Sequence, residues 1–432
     1  MKILLYISFL FLIYNCSLNP NSKYWTSKKN VAQDKDSKIK YVTNEEKILN
    51  KEFNVGLKIK IENIDLIKNI DDNLTNNFVS SYDGKLKNLS RYKFSKIKKF
   101  DEYSPEILFE KKNIIFFDNK GSIVKFDDNS KLLWKKNYYT KSEKNNNPIL
   151  FFSKHTKYLV IADTLAKFYL INIDNGELIW SKYNSYPFNS QIKVINDNFY
   201  VVDSQNILYC FSIKNGEKLW SFSTDKPLVK SQKKFSIVTS GQNIIFNNSI
   251  GDITSIDITD GKLLWQTPTQ SSKIYDEAMF LKTSEMILSK DNILFSDNTN
   301  NFYSIDSKSG TINWKQKIKS SLRPAVIDNL VFTVTDEGYF VIIDNNNGNV
   351  IRSTYILKNI KKKKRKKIKF TGFVTGKNNI YLSTSNGRLF IVNISTGMTD
   401  EILKIDNEKI QRPIIYDKNL YIMKNNSIIK LN

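Results

Sequence analysis

The residues that could carry chemistry are few and scattered. The sequence holds one histidine, His155, so a metal centre built from several imidazoles is not open to it. His155 has no evident partner in the surrounding sequence and reads as a structural side chain. A histidine count of one leaves Ser-His-Asp chemistry formally open, but no motif points to it. Two cysteines, Cys16 and Cys210, are too few for a disulfide framework, and their contexts differ so much that they are not read as partners. Asp174, Asp257, Asp306 and Asp344 fall in Asn/Asp/Gly turns, where a short carboxylate bonds its own backbone. Gly is only 15 of 432 residues, and no phosphate-cradling loop is present. The expectation is a binding protein with no catalytic residue, no cofactor and no metal.

Charge is the next signal. Lys+Arg is 66 and Asp+Glu is 43, a formal net charge of +23. So basic a chain suits a polyanion, either nucleic acid or an anionic membrane surface. A compositional bias toward Lys, Asn and Ile would give the same number. The densest run is Lys361, Lys362, Lys363, Lys364, Arg365, Lys366 and Lys367, followed by Ile368 and Lys369. Such a run cannot sit in a core. It is either a contact for anionic lipid headgroups, at about 1 kcal/mol per charge near the surface, or a plain solvated loop.

The first residues give the compartment. Met1-Lys2 is a minimal basic start, and residues 3–14 are apolar apart from Ser8. As a helix this run spans about 18 Å, short of the ~30 Å of a bilayer core, and reads as the apolar part of a signal peptide over 1–15. The sequence Tyr14-Asn15-Cys16-Ser17 resembles a bacterial lipoprotein signal, although Tyr14 and Asn15 are bulkier than the small residues usual there. That resemblance implies cleavage before Cys16 and acylation of its thiol. Ser17, rather than Asp, then implies the outer membrane. Acyl chains on one cysteine suffice for stable anchoring. An exported chain does not meet chromosomal DNA, so nucleic acid is not expected as a partner.

Residues 16–85 are polar and read as a lipidated N-terminus and linker, with a short helix expected over 44–53 capped by Asn44. From 86 to 432 a unit recurs. Its clearest mark is Gly-x-x-x-Trp: Gly176 to Trp180, Gly216 to Trp220, Gly261 to Trp265, and Gly310 to Trp314. An earlier copy ends at Trp134 with Ser130 in the Gly place, and later copies keep Gly348 and Gly397 but end on Arg352 and Glu401. These end positions recur 38 to 49 residues apart, the length of one four-stranded propeller blade. Seven copies are complete, and an eighth begins at Asn419 and stops one strand short. A sheet lacking a strand leaves an open edge, so a strand near 91–100 is expected to complete it. The fold expected is all-β: an eight-bladed β-propeller closed by pairing of N- and C-terminal strands, preceded by signal peptide and polar tether.

The repeat resembles the quinoprotein-type propeller repeat, Ala-x-Asp-x-x-Thr-Gly-x-x-x-Trp. Here it is spelled Ser255-Ile256-Asp257-Ile258-Thr259-Asp260-Gly261 with Trp265, and Ser304-Ile305-Asp306-Ser307-Lys308-Ser309-Gly310 with Trp314. In that superfamily the Trp packs against the neighbouring blade, and Cys210, at the Ala place, is expected to be a buried, inert thiol. One branch holds dehydrogenases that bind pyrroloquinoline quinone and calcium; the vicinal cysteine pair many of them carry is missing here. The other is the BamB branch of outer-membrane assembly lipoproteins, which binds no cofactor. The lipoprotein-like start, tether and eight repeats look like the second. That resemblance implies a non-enzymatic scaffold at the periplasmic face of the outer membrane, a monomer within a hetero-complex with a BamA-like insertase and other assembly lipoproteins. The partner-binding loop of that family corresponds here to Pro227-Leu228-Val229-Lys230-Ser231-Gln232, which points to Leu228, Val229 and Lys230. An ordinary inter-blade strand start would look similar. A quinone-dependent dehydrogenase and a polysaccharide- or protein-binding adhesion propeller are the competing readings.

Overall fold

Each repeat folds into one antiparallel sheet because its apolar runs are short, alternate with turns, and pair best with their immediate neighbours in sequence. A computed structural model of the chain describes residues 53–54, 74–100, 103, 105–227, 233–269, 283–297 and 300–432. They form eight sheets, the blades of a propeller. Numbered along the chain, blades 1 to 7 span 108–136, 150–183, 193–223, 237–267, 287–316, 325–355 and 370–404. Blade 8 takes three strands from the C-terminus, Ile414–Tyr416, Asn419–Lys424 and Ser427–Leu431, and its fourth from Asn88–Lys93. Tyr92 pairs with Ile428 and Arg91 with Ile429 in that seam. The closing strand lies a few residues upstream of the segment expected from sequence, and the ring closes as the missing edge required.

Burial within a blade follows position. In blade 4 the two middle strands, Asn243–Asn247 and Ile253–Asp257, are almost wholly buried, because sheets press on them from both sides. The outer strand, Leu263–Thr267, is half exposed, and its Trp265 turns inward.

The blades are joined at the rim by a repeated clasp. The Trp of one blade lies against the Gly of the next, giving the pairs Trp134–Gly176, Trp180–Gly216, Trp220–Gly261, Trp265–Gly310 and Trp314–Gly348. Gly261 shows why no other residue fits. Its φ is +73°, and a Cβ there would stand 2.7 Å from the Trp220 ring. The indole also bonds across the junction: Trp180 Nε1 donates to the Ile213 carbonyl at 2.8 Å and Trp314 Nε1 to the Asn345 carbonyl at 2.8 Å. Where the repeat loses Trp, other donors serve. Arg352 is 1% exposed, and its Nη1 donates to the Ile394 carbonyl of blade 7 at 3.1 Å. Tyr92, on the closing strand, donates from Oη to the Asp128 carbonyl of blade 1 at 3.0 Å.

The ring also holds chain upstream of 86, part of the stretch read from sequence as linker. Thr239 N donates to the Leu74 carbonyl, Leu288 N to the Thr75 carbonyl, and Asn77 exchanges two hydrogen bonds with the backbone of Val326. Val79 then bridges Thr375 in parallel. Residues 74–79 thus cross the innermost strands of blades 4, 5, 6 and 7 in turn. Further upstream, Phe53–Asn54 adds a short antiparallel strand outside Val350–Tyr355, the outer strand of blade 6. The helix expected over 44–53 lies outside the described residues except for Phe53, which is extended.

Candidate functional site

A cavity of about 230 Å³ lies on the propeller axis. Residues of each blade, or of the segment that leads into it, line it, together with Leu74, Phe78, Val79 and Ser80 of the crossing segment. Four of its charged groups share one register. Glu106, Glu285, Arg323 and Arg412 each stand two residues before the innermost strand of their blade, where the chain enters from the rim. Blades 1, 5, 6 and 8 therefore each deliver one charged side chain to the same level of the channel.

These groups form an ion-pair network. Lys234 Nζ lies 2.8 Å from Glu106 and 3.8 Å from Glu285. Arg323 Nη2 lies 3.0 Å from Glu106 and also pairs with Glu285. Lys234 and Arg323 are each 5% exposed, so these pairs are largely out of water. Burial works against the Glu106 charge, but Lys234 and Arg323 outweigh it and hold the carboxyl below the ordinary range. Burial pulls Lys233 down to about 8, partly offset by Asp336. Arg412 is the odd member. Its Nε donates to the Phe373 carbonyl at 3.1 Å, and its guanidinium lies 5.4 Å from the centre of the Phe78 ring. Arg323 approaches the same ring, also at 5.4 Å, so Phe78 sits between two guanidinium groups. Burial first, and then the like charge of Arg323, depress the Arg412 pKa.

Asn76 fastens the crossing segment to the channel wall. It is 1% exposed, and its Nδ2 donates to the carbonyls of Ile237 and Met286 at 3.0 Å each. Lys193 Nζ donates to Asn76 Oδ1 at 2.7 Å. Nothing in the polar composition of this stretch signalled that role. The channel charges had a usable signal, the fixed offset from each innermost strand, which a motif search built on Trp and Gly passes over.

The residues singled out from sequence fall elsewhere. Leu228, Val229 and Lys230 lie outside the described residues, as does Cys16. The loop that holds the first three re-enters the described chain at Lys233 and Lys234, beside the channel. The run from Lys361 to Lys367 includes one short helix, Lys362–Arg365, with no buried residue, between blades 6 and 7. Arg365 is tied down by its bond to the Ile360 carbonyl and by the Tyr355 ring; the lysines around it are exposed. Cys210 is fully buried, and burial pushes its thiol up to about 11. Among the described residues His155 pairs with the exposed Asp197, at 3.5 Å. Asp257, Asp306 and Asp344 each accept a bond from the backbone two residues on; in blade 2 Asn172 does this, and Asp174 is the donor.

A second buried acid closes a turn in blade 2. Asp163 accepts the Tyr139 hydroxyl at 2.5 Å and the amides of Leu165 and Lys167. Burial nonetheless pushes its carboxyl up to about 6. Asn248 does the same work in blade 4, accepting the amides of Ile250 and Asp252.

Among the described residues no group of three His, Cys, Asp or Glu side chains is arranged to hold a metal ion. The channel carboxylates do not fit a calcium site. Both are already paired with Lys234 and Arg323, and the surrounding charge is positive.

Residues 119–354 match the family described as outer membrane protein assembly factor BamB. The chain belongs to this family. Solved structures agree on the fold. BamB from Moraxella catarrhalis superposes with a TM-score of 0.66 at 12% identity, covering 80% of this chain and 99% of that one. A europium-containing methanol dehydrogenase gives 0.63 at 11% identity, over 81% and 87% of the two chains. The quinohemoprotein alcohol dehydrogenase from Comamonas testosteroni gives 0.61 at 9%, over 81% and 76%. At these identities the likeness is one of fold, shared by a BamB and by enzymes. No curated protein sequence matches the chain.

Proposed function

We propose that this BamB-family propeller is a non-catalytic scaffold of the outer-membrane β-barrel assembly machinery, holding the periplasmic domains of a BamA-like insertase. The family match over 119–354 carries this reading. The channel supports it. The axis holds paired charges and the Phe78 ring rather than a ligand set for the calcium of a quinone-dependent dehydrogenase.

In this reading residues 1–15 are removed as a signal peptide, and Cys16 is acylated in the outer membrane, leaving the ring on the periplasmic face. Leu228, Val229 and Lys230 contact the insertase. Lys234, shortly after them, is buried and paired with Glu106 and Glu285. The exposed lysines from Lys361 to Lys367 meet anionic headgroups. The test is binding of purified insertase periplasmic domains to the wild-type chain and to a Leu228→Ala, Val229→Ala, Lys230→Ala variant. A loss of affinity of about tenfold or more supports the assignment, since a few central residues dominate such interfaces. Equal affinity removes the loop from the interface.

The dehydrogenase reading draws on the superpositions with the two dehydrogenases. Titration of the full chain with pyrroloquinoline quinone and calcium tests it, and saturable binding of both would favour the enzyme.

A further inference from the structure

Among the described residues, Arg412 is a cation of the axial cavity with no carboxylate in salt-bridge range. Glu106 and Glu285 neutralise Lys234 and Arg323 between them. Arg412 stands in the same cavity wall. Among the described residues its partners are the Phe373 carbonyl, on Nε, and the face of Phe78. Among the described residues neither Nη group has a protein acceptor. A guanidinium fork held in place by its Nε bond and a stacked ring is preorganised for a planar two-oxygen anion. The nearest like charge, Arg323, adds to the positive field there.

Much of the rest of the wall is apolar, interrupted by Lys154, Lys193, Lys233 and a few neutral polar side chains. Leu108, Val194, Leu322 and Ile414 enter the cavity from different blades, and Phe78 and Val79 enter from the crossing segment. Such a lining suits an organic body better than a hydrated inorganic ion. A volume of about 230 Å³ is below the usual range for drug-sized ligands and takes a compact molecule. One free fork takes one carboxylate.

We propose that the central channel is a binding site for a small organic monocarboxylate, its carboxylate on the Arg412 fork and its apolar body against Phe78 and the channel wall. The site is independent of the partner loop and does not require the scaffold reading. It needs no metal and performs no reaction. By holding the anion, the channel would balance the charge that the protein leaves uncompensated and would fix the crossing segment on the wall.

The experiment uses the full-length, detergent-extracted protein with sodium benzoate as probe, read by isothermal titration calorimetry. Benzoate is expected to bind with a Kd on the order of 1 mM or tighter, given its few atoms. Benzamide, its neutral isostere, and inorganic phosphate are each expected to bind at least about tenfold more weakly. Arg412→Gln should abolish benzoate binding while leaving the circular dichroism spectrum unchanged. Should that variant fail to fold, Arg412→Lys carries the test, because it keeps the charge and loses the fork; it should weaken benzoate by roughly tenfold. The proposal is overturned if the wild type does not bind benzoate at about 10 mM, if benzamide or phosphate binds as well, or if a folded Arg412 variant binds like the wild type.

Discussion

The rim and the axis of this ring are built from the same strands and are organised in opposite ways. At the rim one device is copied over five junctions, an indole over a glycine, and at Trp180, Trp265 and Trp314 the indole N–H also bonds to the next blade. At the axis no device repeats. The equivalent positions hold Glu106, Glu285, Arg323 and Arg412, joined into a network that spans the channel. The rim has to set the same angle eight times, so its chemistry repeats, with Trp and Gly at five junctions and Arg352 and Tyr92 at two others. The axis has no such duty, and its residues are free to differ. Chemistry particular to this chain is therefore found at the positions where the copies diverge.

Perturbing the rim should cost the most. Trp314 is 8% exposed and bonded to Asn345, so Trp314→Ala should lower stability by about 3–5 kcal/mol, read as a shift in the urea midpoint. A loss below 1 kcal/mol would mean that the clasp does not hold the blades. Next comes Asp163, buried at a turn of blade 2. Its folded pKa, about 6, is above its ordinary 3.8, so its contribution to stability is present below 3.8 and lost as pH rises through 6. Asp163→Asn should remove that dependence and leave the variant more stable at pH 7, by about 3 kcal/mol at most. The precedent is Asn248, which closes the equivalent turn in blade 4. Parallel stability-versus-pH curves for the two proteins would contradict the assignment. The smallest effect belongs to the seam. Tyr92→Phe loses one hydrogen bond, to the Asp128 carbonyl, and should cost about 1 kcal/mol. An unchanged midpoint would mean that Tyr92 fills space at the 8-to-1 junction without clasping it.

Legibility followed the same division. The period of Trp and Gly announced the blades, and the missing strand after Leu431 announced the closure, because both are demands of sheet geometry. Arg352 and Tyr92 were visible as residues but not as clasps. Their role rests on a carbonyl of the next blade, which one-dimensional spacing does not place. The segment 74–79 was read as linker because Asn and Thr usually mark loops; here they supply the bonds that lay the chain across four blades. The axial charges were hidden for a related reason. Each is an isolated charged residue before a strand, and only closure of the ring brings Glu106 within 3.0 Å of Arg323.

The central claim is that this BamB-family ring serves assembly by binding, not by catalysis. The most direct test is an affinity pull-down of the membrane-extracted, full-length protein, with copurifying proteins identified by mass spectrometry. The account predicts recovery of a BamA-like barrel together with other assembly lipoproteins. Recovery of the tagged protein at good yield with no barrel protein would contradict it.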